Sequence, residues 1–199
     1  MPSNVPDRGQ ETAFRNIGRF FCAFSELEAE LNRAVSFVFQ LQDHPAGEAV
    51  SAQLDIARKI DLVRAAVRSA TTANGVDLPE NWKLDADDAL AKIHRINSDK
   101  RVPFAHGRLQ ALGSGEIRII RITARGGQLK LHEDFIDDAR MEAVLREIME
   151  CKLGIELLTR RLRTIVVQVN GFAPIAVGGG SVTVMTSTTS SVSEEPGSP

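Results

Sequence analysis

Apolar side chains at Ile17, Phe20, Phe24, Leu27, Leu31, Ala34, Val38 and Leu41 recur at intervals of three and four. Only a helix brings that spacing onto one face. The pattern predicts a helix over 11–42, roughly 45 Å long at ~1.5 Å per residue. Phe21, Val35, Phe37 and Phe39 widen the stripe beyond a single seam. A helix this apolar needs partners on more than one side, in a bundle or a dimer. The run His44-Pro45-Ala46-Gly47 is expected to end it.

The same period returns three times. Val50, Leu54, Ala57, Ile60, Val63, Val67 and Ala70 predict a second helix over 48–73, stopped by Asn74-Gly75. Trp82, Ala86, Ala89, Leu90, Ile93 and Ile96 predict a third over 80–97. After Gly107 the period shortens, and 109–112, 116–124 and 128–131 read as strands separated by glycine-rich turns, an antiparallel meander. The alternation slips at Ile119-Ile120, which points to a bulge or to burial on both faces. A last helix is expected over 134–169, with Asp134 as its cap and Glu133, Asp137 and Asp138 at its positive end. Its stripe is Met141, Leu145, Ile148, Cys151, Ile155, Leu158, Leu162, Ile165 and Val169. The expected fold is mainly α: an antiparallel four-helix bundle with a small β-meander (107–132) inserted before the last helix. Residues 1–10 read as a loose leader, 11–169 as the domain, and 170–199 as a low-complexity, disordered tail.

A formal net charge of −2 gives no whole-chain preference for polyanions. The average conceals a block. Between Lys92 and Lys130 nine Lys and Arg face only Asp99 and Glu116, a local +7, and seven acids follow from Glu133 to Glu150. Such a block is a footprint for phosphate. Two cysteines, Cys22 and Cys151, fall in helical patterns and are expected as packed free thiols in the cytoplasm. No membrane-length apolar run is present.

Most catalytic classes find no support. His44, His94, His106 and His132 have no zinc-type spacing, and Asp85, Asp87 and Asp88 read as a solvated helix face. Neither a phosphate loop with its lysine nor a serine-nucleophile elbow occurs. No metal and no cofactor is expected. What remains is the stretch at the end of the third helix, where Arg101 and His106 flank Pro103 and precede Gly107. Arginine presents a permanently charged donor fork to a phosphate, and histidine exchanges protons near neutral pH. Arg125 and His132 have a similar spacing but fall in the predicted hairpin.

Arg101, four residues, His106 and Gly107 at the end of a third bundle helix resemble the HEPN (higher eukaryotes and prokaryotes nucleotide-binding) family. The stretch from Phe24 to Val35 also resembles the first helix of bacterial families of this type, with Glu28 at a recurrent acidic position. The resemblance spans about residues 12–169. It implies a metal-independent endoribonuclease acting as a homodimer, with RNA as substrate, and a toxin or phage-defence role with a neutralising antitoxin protein as partner. Arg101 and His106 would be catalytic, Asn97 and Glu28 supporting, and Lys100, Arg95 and Arg108 would bind RNA. Where the family commonly has a polar residue after the arginine this chain has Val102, and Asn97 is the nearest polar replacement. The chain has no tyrosine, so control by tyrosine modification, known in some relatives, does not apply. The alternative is a non-catalytic dimeric helical module that binds RNA or a protein. In it Arg101 caps helix carbonyls, His106 satisfies loop backbone, and Glu28 is a surface charge or a structural partner of Arg101.

Overall fold

The computed structural model describes residues 8–42, 44–72, 81–125 and 128–170. The chain is mainly helical with one small three-stranded antiparallel sheet. Helix α1 (Arg8–Val38) packs along α6 (Asp138–Asn170) and α3 (Ile56–Thr72), and α4 (Trp82–Ile96) packs along both α3 and α6. The core between them holds Phe20, Phe24, Leu27 and Leu31 of α1, Ile60 and Val63 of α3, Trp82, Leu90 and Ile93 of α4, and Ile148, Ile155 and Leu158 of α6. These are the expected stripes, and their burial is the main term holding the helices together.

Several boundaries differ from expectation, each for a local reason. Helix α1 begins at Arg8, inside the expected leader, and ends at Val38. Its end is a Schellman turn: Gln40 takes φ +56°, Leu41 N–H donates to Ser36 O (2.8 Å) and Gln40 N–H to Phe37 O (2.9 Å). His44-Pro45-Ala46-Gly47 starts a helix rather than ending one. The His44 Nδ1 accepts from Ala46 N–H, and Pro45 opens α2 (Pro45–Ala52). The expected second helix is therefore two, because Asp55 breaks it. The Asp55 carboxylate accepts from Arg58 N–H at 2.8 Å and caps α3.

The third helix does not stop near Asn97. It continues through a π-turn (Asn97–Arg101) into a short α5 (Val102–His106). Pro103 lacks an N–H, and its ring would collide with the preceding turn of a regular α-helix. The wider turn takes up that conflict: Val102 N–H reaches back five residues to Asn97 O. Termination comes at Gly107, whose N–H bonds Pro103 O at 2.8 Å. A Cβ there would lie 2.5 Å from that carbonyl oxygen and 3.0 Å from Ile119 Cγ2.

The sheet has the order β1 (Arg108–Ala111), β2 (Ile117–Arg125), β3 (Gln128–Ile136). Pairing of β2 with its neighbours is unbroken through Ile119 and Ile120, so there is no bulge; Ile119 is buried and Ile120 half-buried. Strand β3 runs five residues past the expected end. Glu133 and Asp134 belong to it, and the cap of α6 is Asp137, which accepts from Arg140 N–H at 2.8 Å. Both cysteines are free; Cys151 is buried, but Cys22 is exposed rather than packed. The expected Asn74-Gly75 stop and the C-terminal tail lie outside the described residues. No helix among the described residues is long and apolar enough to cross a membrane.

Candidate functional site

The π-turn gives the candidate residues their directions. Phe104 on α5 is buried, and its ring stacks on Phe20 of α1 with centroids 4.5 Å apart. Phe21 meets it edge-on at 6.4 Å. That aromatic cluster fixes the segment from Asn97 to His106 against the first helix. With Phe104 inward, Asn97, Arg101 and Val102 fall on one side and line an open cavity of about 350 Å³. The opposite wall is Glu28 of α1 with Leu54, Asp55, Ile56 and Ala57 at the break between α2 and α3. Arg101 and both supporting residues, Asn97 and Glu28, thus share one cavity.

Glu28 does not orient Arg101. Its carboxylate accepts from Lys59 Nζ at 2.9 Å, and the Lys59 side chain is 2% exposed against 33% for Glu28. A buried ammonium is tolerated only with a partner of this kind. Lys59 escaped the sequence reading, although a signal was there: it stands three residues after Ile56 and four before Val63, on the buried face of α3. Asp55 was also missed, hidden inside a pattern that looked continuous. Arg101 is half-buried and makes no ion pair among the described residues. The buried Asn97 Oδ1 has no hydrogen-bond partner among the described residues.

His106 lies elsewhere. It is exposed at the end of α5 and is not part of the cavity lining. Five helical positions rotate a side chain by roughly 140° past a full turn, somewhat less through a π-turn. One chain therefore presents Arg101 and His106 in different directions.

Four of the nine basic residues from Lys92 to Lys130 are answered from within the chain, among the described residues. Arg95 pairs with Glu147, Lys100 with Asp134 at 3.7 Å, Lys92 with Asp88 at 2.8 Å, and Arg118 with Glu133 at 2.7 Å. The acidic stretch from Glu133 to Glu150 supplies three of those four partners, so the two segments of opposite charge fold against each other. Of the residues expected to bind RNA, Arg95 and Lys100 are thus engaged. Arg108 is exposed on β1, where it lies opposite Ile120. His132, of the second Arg–His spacing, bonds the Thr123 hydroxyl at 3.0 Å on the hairpin and is remote in register from the π-turn.

Among the described residues no group of three or more His, Cys, Asp and Glu is arranged to hold a metal ion. Burial, with the nearby Glu147 adding to it, pushes the Cys151 thiol up to about 11, so little thiolate is present near neutral pH. The site offers an unpaired guanidinium, an amide and a carboxylate–ammonium pair at a cavity, with an exposed imidazole beyond it. Those groups can bind a phosphate and move a proton. Comparison with protein-family models, curated proteins and solved structures gives no match.

Proposed function

We propose that this chain is a metal-independent endoribonuclease of the HEPN type, built on a four-helix bundle of α1, α3, α4 and α6. The observation that carries the reading is the π-turn, which turns the unpaired Arg101 and the amide of Asn97 into a cavity while Phe104 anchors the segment. Arg101 holds the scissile phosphate and stabilises the charge that grows on it, a role whose loss costs on the order of 10²–10³ in rate. His106 takes the proton of the ribose 2′-hydroxyl or returns one to the departing 5′-oxygen. The products are a 2′,3′-cyclic phosphate and a 5′-hydroxyl, and DNA is not cut because it lacks the attacking group. Because Arg101 and His106 of one chain diverge, two chains of a homodimer combine their motifs. The biological setting that goes with this chemistry is a cytoplasmic toxin or phage-defence effector held in check by an antitoxin protein.

A second reading is favoured by one observation: Arg95 and Lys100, two of the three cations expected to bind RNA, are paired with Glu147 and Asp134. On it the chain is a non-catalytic dimeric module that binds RNA or a protein. Incubation of purified protein with RNA in excess chelator separates the two. Cleavage by the wild type that is lost in both Arg101→Ala and His106→Ala supports the enzyme. Intact RNA beside folded wild-type protein leaves the binding module.

A further inference from the structure

Lys92, Arg95, Lys100 and Arg118 are held in ion pairs, but Arg108, Arg121 and Lys130 have none among the described residues. The strand register sorts these three by face, because side chains alternate along a strand and directly opposed residues share a side. One face of the β2–β3 hairpin carries Arg121 opposite His132 and Thr123 opposite Lys130. The other carries Ile122 opposite Leu131 and Ala124 opposite Leu129, and Arg108, opposite Ile120, falls with them. The basic face is continuous with the candidate site. Ile119, two residues before Arg121 on that face, is buried, and a Cβ on Gly107 would meet its Cγ2 at 3.0 Å. The end of α5, where His106 stands, therefore rests on β2 just short of Arg121. Beyond that cover the hairpin runs on: Lys130 and His132 are exposed, Arg121 and Thr123 half-buried. Asp134, the acid on this face of the two strands, is already paired with Lys100 at 3.7 Å and Arg140 at 3.4 Å.

We propose that this face of the hairpin is a track for the phosphate backbone of single-stranded RNA, on which Arg121 and Lys130 each hold a phosphate of the strand leading away from His106. The inference rests on the ribonuclease reading for the identity of its partner. It assigns the grip on the backbone to the hairpin, because Arg95 and Lys100 are engaged within the chain. Free cations attract phosphate by releasing its counterions, whatever the base sequence. Neither Phe nor Trp stands on this face of the two strands, since Phe135 lies with Arg118 on the other. The track therefore offers bases no stacking platform of that kind, and it binds without sequence preference.

The test uses the full chain and a fluorescein-labelled single-stranded RNA that is 2′-O-methylated throughout. It keeps every phosphate and lacks the attacking hydroxyl, so binding is read apart from cleavage. Anisotropy titrations at several salt concentrations give the slope of log K against log salt. Arg121→Gln and Lys130→Gln should each reduce the size of that slope by roughly 0.7, and the double variant by roughly twice as much. Lys83→Gln removes an exposed cation at the start of α4 and should leave the slope at its wild-type value. Thermal melting checks that each variant is folded; Lys130 is exposed, so its variant carries the test even where Arg121→Gln loses stability. A wild type that does not bind the oligonucleotide overturns the proposal, as does a slope that falls equally with Lys83→Gln and Lys130→Gln. Binding through Arg121 and Lys130 beside unmodified RNA left intact keeps the track and removes the ribonuclease. Cleavage of RNA with a slope indifferent to both variants keeps the ribonuclease and removes the track.

Discussion

Lys59 and Glu28 give the sharpest test of how the cavity is built, because the two halves of their ion pair are unequally buried. Replacing Glu28 with Gln keeps the shape and removes the charge that answers an ammonium only 2% exposed. Breaking a fully buried pair this way costs about 3–5 kcal/mol. Glu28 is 33% exposed and opens onto the cavity, so water reaches its side of the pair, and about 2–3 kcal/mol is expected after that discount. Lys59→Met goes the other way. It removes the buried charge at nearly constant volume, and the carboxylate left behind is still hydrated from the cavity, so the change should stay within about 1.5 kcal/mol of zero. In the Lys59→Met background, Glu28→Gln should then be nearly neutral. Urea unfolding with shared m-values reads all four corners of the cycle. Equal losses for the two single variants, or additivity in the double, would refute the claim that the buried ammonium sets the cost.

Phe104→Ala should lose about 3–5 kcal/mol, since the ring is 2% exposed and stacked on Phe20; thermal unfolding measures this, and any RNA cleavage should fall with it because the π-turn loses its anchor. Gly107→Ala should destabilise by about 1–3 kcal/mol, because its Cβ would sit 2.5 Å from Pro103 O; a neutral result would mean that the end of α5 is slack. Thiol reagents should modify Cys22 in the native protein and Cys151 only on unfolding, as one is exposed and the other buried. The Cys151 thiol ionises at about 11 in the fold against 9.0 in its unperturbed state. Above pH 9 the unfolded chain therefore binds fewer protons, and this thiol's contribution to stability should decline as pH rises from 9 towards 11.

The helices that build the core were legible because burial repeats at 3.6 residues wherever a helix has one wet side. Phe20 to Leu31 and Ile148 to Leu158 needed no other signal. Boundaries were less legible where a polar residue served backbone rather than solvent. Asp55 looked like one more surface charge between Leu54 and Ile56, yet it caps α3 and splits the expected second helix. Glu133 and Asp134 looked like the acidic start of a helix, but their partners are the cations Arg118 and Lys100, brought to them by the sheet and the π-turn. Pro103 does not fit the interior of a regular α-helix, but one wider turn before it lets the helix go on, and no side-chain period marks such a turn. That turn decides the site: it sends Arg101 into the cavity with Asn97, and it leaves His106 outside.

The most direct measurement of the proposed chemistry follows from that divergence. Arg101→Ala and His106→Ala chains are mixed, allowed to exchange subunits, and given RNA in excess chelator beside the wild type. Each variant alone should be inactive. A mixed dimer retains one intact Arg101 and one intact His106 on different chains, so cleavage to 2′,3′-cyclic phosphate ends should return in part. A silent mixture beside an active wild type would place both residues' work within one chain, and a silent wild type would remove the ribonuclease altogether.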